Sequence, residues 1–72
     1  MKNMSETLLN AIPTDARDGL LSIRPYAKGW MVSYAPGSVE EINEAFRAFE
    51  REFPDMYLLK VLGDGAGIYV SK

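Results

Sequence analysis

Apolar residues recur at Ile42, Ala45, Phe46, Phe49 and Phe53, and charged residues fill most of the positions between them. Steps of three and four residues line such side chains up on one stripe of an α-helix. Ser38 and Glu41 stand at the S-x-x-E spacing of a capping box. There the serine oxygen accepts from the Glu41 amide and the carboxylate reaches back to the serine amide. Glu40 and Glu41 also suit the positive end of the helix dipole, and Glu44 and Arg47 are spaced to pair on the solvent side. Pro54 stops the run by pushing its predecessor out of the α region. The pattern predicts one main helix over residues 38–53.

On both sides of this stripe the pattern changes to alternation. Leu21-Ser22-Ile23-Arg24 alternates apolar and polar, and Trp30-Met31-Val32-Ser33-Tyr34 is rich in β-formers. Ala27-Lys28-Gly29 joins them as a hairpin connection, with Gly29 available for a left-handed position. Pro25 cannot donate to a ladder, so the first strand belongs at a sheet edge. Pro36-Gly37 breaks the second strand. After the helix, Met56 to Leu62 and Ile68 to Ser71 read as a second hairpin, turned at Asp64-Gly65. In front, Ser5 is set to cap a short helix that runs through Ile12 to Pro13, and Thr14 to Asp18 adds a turn before Gly19. The expected fold is α+β in α-β-β-α-β-β order: two hairpins form a four-stranded antiparallel sheet packed on the main helix. Residues 1–72 make a single domain, with 1–19 an N-terminal helical segment and 20–72 the ββαββ core.

Alternation also sorts side chains to the two sheet faces. Leu21, Ile23, Trp30, Val32, Tyr34, Tyr57, Leu59, Val61, Ile68 and Val70 match the helix stripe. Ser22, Arg24, Tyr26, Met31, Ser33, Leu58, Lys60, Leu62, Tyr69 and Ser71 fall on the opposite face, which mixes apolar groups with cations. One helix covers one side of such a sheet. The second side needs either the N-terminal helix, through Leu8, Leu9 and Ile12, or a partner.

Composition narrows the chemistry. The chain of 72 residues contains neither His nor Cys. That removes the commonest base near neutral pH, the thiol nucleophile, disulfides and the usual zinc ligands. Glu40, Glu41, Glu44, Glu50, Glu52 and Asp55 account for most of the ten acids, and a solvated helix face explains them. No carboxylate-rich calcium loop is present. The glycines of Gly63-Asp64-Gly65-Ala66-Gly67 resemble a phosphate-binding loop, but such a loop needs a helix directly after it, and strand-like Ile68-Tyr69-Val70 follows. No enzyme activity, cofactor or metal is expected. The apolar run from Leu8 to Ile12 is too short for a secretory or membrane segment, so the reading is a soluble cytoplasmic protein, complete from Met1.

A chain this small, without covalent or metal staples, gains from extra buried surface. Three functions are therefore expected in descending order. The first is a non-catalytic protein-binding module, acting by occupancy as small regulators and inhibitors do, those of phages and plasmids among them. Its contact residues would be Arg24, Tyr26, Lys28, Met31, Lys60 and Tyr69. The second is nucleic-acid binding, with bases on tyrosines and phosphates on cations; the net charge of −2 weighs against it. The third is a homodimer formed by the sheet faces.

Overall fold

The computed structural model describes residues 3–63 and 66–72. The chain folds as a small α+β domain in α-β-β-α-β-β order, with a four-stranded antiparallel sheet packed against helices. Helix α1 (Met4–Ala11) is followed by a 3-10 turn (Thr14–Arg17), strands β1 (Leu20–Tyr26) and β2 (Gly29–Tyr34), helix α2 (Val39–Glu52), and strands β3 (Tyr57–Val61) and β4 (Ala66–Ser71). The strand order is β1-β2-β4-β3, so the two hairpins meet at β2 and β4. Pro25 lies on edge strand β1, where its missing donor is harmless. The Asp64-Gly65 turn lies outside the described residues.

Both helices pack on the same side of the sheet. Leu8 and Ile12 of the N-terminal segment share one buried cluster with Val32, Tyr34, Ile42, Ala45, Phe49, Ile68 and Val70. The N-terminal helix therefore does not cover the second sheet face. It completes the first, beside α2.

Local details correct the sequence reading of α2. The helix begins at Val39, and Ser38 makes no side-chain cap bond. Its backbone, at φ −91° and ψ 39°, lies outside the extended geometry from which a cap serine reaches the helix amides. Its side chain is instead buried against Gly19, where an added Cβ would stand 2.4 Å from Ser38 Oγ. The cap that does form is at the other helix: Asn3 Oδ1 accepts from the Ser5 amide at 2.9 Å. Phe49 is fully buried and so is Ala48, which the apolar stripe left out, while Phe46 lies half-buried at the margin of the core.

Tyr34 ties the layers together. Its hydroxyl donates to the Ala16 carbonyl in the 3-10 turn. Burial pushes its phenol from 10.0 up to about 12, and the negative charges of Glu41 and Glu44 push the same way, against Arg17. Arg17 serves the N-terminal segment by donating to the carbonyls of Ile12 and Leu9, both at 3.1 Å.

Candidate functional site

The face that no helix covers follows directly from the strand register. Tyr26 pairs with Gly29, Gly29 lies beside Ser71, and Ser71 pairs with Tyr57, which makes one row across β1, β2, β4 and β3. Arg24, Met31, Tyr69 and Leu59 form the next row, and Ser22, Ser33, Gly67 and Val61 the third. None of these positions is acidic.

Glycine is required at the centre of this face. A Cβ at Gly29 would stand 2.1 Å from the Val70 carbonyl oxygen, and one at Gly67 would stand 2.0 Å from that of Val32. At both positions a side chain would run into the backbone of the neighbouring central strand. Gly29 is consequently a strand residue, and the left-handed position of the β1–β2 turn falls on Ala27, at φ 52°. This corrects the role expected of Gly29.

The small residues of the first row leave space that aromatic rings occupy. Tyr69 lies between Tyr26 and Tyr57, with ring centroids 6.0 Å and 6.5 Å away and interplanar angles of 82° and 68°. Both contacts are edge-to-face, the arrangement that ring quadrupoles favour. Tyr26 and Tyr57 remain 58% and 54% exposed, and Leu59 is 47% exposed. At the opposite end, Leu21, Met31, Ser33 and Val61 help line a shallow depression of about 280 Å³. At the end of the sheet, Lys28 and Lys72 line a second depression of about 170 Å³ with Gly29 and Ser71 and with Met4, Trp30 and Met56, which belong to the covered side.

Five of the six expected contact residues belong to this region. Arg24, Tyr26, Met31 and Tyr69 lie on the open face, and Lys28 lies in the turn at its end. Lys60 does not. It projects to the helix side, where its ammonium donates to Asn43 Oδ1 at 2.9 Å and sits 5.2 Å from the centre of the Phe46 ring. Strand β3 is therefore turned over relative to the sequence reading. Tyr57, Leu59 and Val61 face out, and Leu58 packs against the core. Met56 to Leu62 is apolar at almost every position, so alternation could not phase it. A lysine stem can cover apolar surface while its charged end reaches a polar partner. Leu21 is a second exchange: the register shifts between Leu20 and Ser22, Leu20 packs against the core, and Leu21 is 66% exposed.

Among the described residues no group of three or more His, Cys, Asp or Glu side chains converges as a metal site would require, and no helix is long and apolar enough to cross a membrane. Compared with family models, with curated proteins and with solved structures, the chain finds no match in any of the three.

Proposed function

We propose that this domain is a non-catalytic protein-binding module, a regulator or inhibitor that works by occupying a partner's surface with the open face of its sheet. One observation carries the reading: β3 directs Tyr57 and Leu59 outward and Lys60 inward. The face thereby becomes more apolar and less cationic than alternation alone implies. Tyrosine, methionine and arginine are the residue types enriched where proteins meet, and charged groups are depleted there. Tyr26, Tyr57, Leu59 and Leu21 each remain about half exposed or more, and exposed apolar area of this kind marks interaction surfaces. Nucleic acid fits less well, because only Arg24 offers a cation within the three rows.

Differential capture from an extract of the source cell tests this reading. Three baits are compared: the parent, the pair Tyr26→Ser with Tyr57→Ser, and the triple Glu40→Gln, Glu44→Gln and Glu50→Gln. Each is first checked for an unchanged far-ultraviolet spectrum. The reading expects one protein held by the parent and the glutamine variant and lost by the serine variant. That protein, once purified, should slow amide exchange in β2 and β4. Loss by the glutamine variant with retention by the serine variant would move the interface to α2.

A further inference from the structure

We infer that two copies of this chain join edge to edge through β3, so that two four-stranded sheets become one across a two-fold axis. The inference goes beyond the protein-binding reading and does not rest on it, since both open faces stay on one side and remain available. Its basis is that the two edges of the sheet are built differently. Edge strand β1 carries Pro25 and shifts register between Leu20 and Ser22. Both features hinder pairing with a further strand. Edge strand β3 has neither: it holds no proline, and it pairs with β4 in unbroken register from Tyr57 to Val61. Alternate amides and carbonyls along it point away from β4, and no strand among the described residues meets them. Lysine guards an edge when it stands in the path of an incoming strand, but Lys60 is drawn over α2 to Asn43 and the Phe46 ring.

The strand that this edge fits is its own copy. With a two-fold through Leu59, perpendicular to the sheet, Tyr57 stands opposite Val61 of the other copy, and Leu59 opposite its counterpart, on the open side. On the helix side Leu58 stands opposite Lys60, and Met56 opposite Leu62. A place for those two side chains already exists. Glu50, Phe53, Pro54, Met56 and Leu58 help line a depression of about 370 Å³ between α2 and the start of β3. Leu62, 61% exposed just past the end of β3, is the apolar group that the two-fold brings to it. Lys60 of the other copy arrives beside it and faces Glu50, with donors to spare beyond the one that Asn43 takes. Neighbouring registers lack this match. A two-fold through Lys60 sets two ammoniums opposite each other, and one through Leu58 brings Pro54 and Asp55 into the ladder.

Sedimentation of the full chain from micromolar to millimolar concentration should show its mass rise from 8.0 kDa toward twice that value. Amide exchange in β3 should slow as the dimer forms, while that in β1 stays unchanged. Leu62→Glu, at an exposed site outside the strand, should leave the chain monomeric with its far-ultraviolet spectrum intact. Glu50→Lys and Lys60→Glu should each weaken the dimer about tenfold, because each sets like charges together at both ends of the two-fold contact. An equimolar mixture of these two variants should recover the parent's affinity, since opposite charges then meet at both ends. No effect confined to one chain can produce that recovery. A monomer at every concentration overturns the inference and leaves the edge to a different protein. Failure of the mixture to recover the dimer overturns it as well. So does a dimer that Tyr26→Ser dissolves and Leu62→Glu leaves intact, the mark of packing through the open faces.

Discussion

The two faces of the sheet are made from the same strands and differ in what they are asked to do. On the covered face, Val32, Tyr34, Ile68 and Val70 are buried under α1 and α2, and each side chain is held from several directions. On the open face, Tyr26, Tyr57 and Leu59 are roughly half exposed, and the rings are held chiefly by each other. The covered face obtains its stability by excluding water. On the open face, Gly29 in the first row and Gly67 in the third leave the central strands without a side chain there, and Tyr69 packs edge-on between Tyr26 and Tyr57. Comparable side chains therefore carry different weight on the two sides, and substitutions can test that difference directly.

The largest loss should come from the covered side. Phe49→Ala removes a fully buried ring between the helix and the sheet, and should cost about 3–5 kcal/mol in chemical denaturation. Half-buried Phe46 should cost clearly less, and equal costs would mean that α2 is rotated about its axis. Next comes the backbone of the open face. Gly67→Ala drives a methyl group into the Val32 carbonyl and should cost about 1–3 kcal/mol, although no buried side chain is removed. A melting temperature unchanged from the parent's would contradict the clash between a Cβ at this position and the Val32 carbonyl.

Tyr34 and Tyr57 give the sharpest contrast. In the folded chain the Tyr34 phenol is raised from 10.0 to about 12, so its protonated form is favoured by folding. Its contribution is present in full below pH 10 and is lost as pH climbs to about 12, an effect on the order of 2–3 kcal/mol. Denaturation profiles at several alkaline pH values should show that loss in the parent. Tyr34→Phe should show a shallower fall over the same window, along with a cost near 1 kcal/mol at neutral pH from the lost bond to Ala16. If parent and variant fall in parallel, the hydroxyl is not the group that titrates. The smallest change in stability belongs to Tyr57→Ser, which gives up one edge-to-face contact and should cost about 1 kcal/mol or less. A loss as large as that of Phe49→Ala would mean that the open face is itself core.

Much of this architecture is legible along the chain because neighbours in sequence decide it. The stripe from Ile42 to Phe53 and the stop at Pro54 define α2 through contacts three and four residues apart. Ser22, Arg24, Tyr26, Met31 and Tyr69 reach the open face as alternation predicts, because polar and apolar residues near them differ enough to mark the phase. The site was less complete in the sequence than the fold. Tyr57 and Leu59, which supply much of its exposed apolar surface, came from a run whose one charged residue, Lys60, turns toward the helix, and there a shift of one residue exchanges the faces.

The sequence by itself determined the element order, the two hairpins, the edge position of the first strand and the poverty of catalytic side chains. Each of these depends on local conformational preference or on composition. Only the tertiary structure decided that both helices lie on one side, that Lys60 turns inward to Asn43 and Phe46, and that Ser38 is buried against Gly19 instead of capping α2. The physical reason is common to all three. Each compares two locally acceptable arrangements whose difference lies in contacts between residues far apart in sequence. Those contacts exist only once the sheet, the N-terminal segment and the main helix have met.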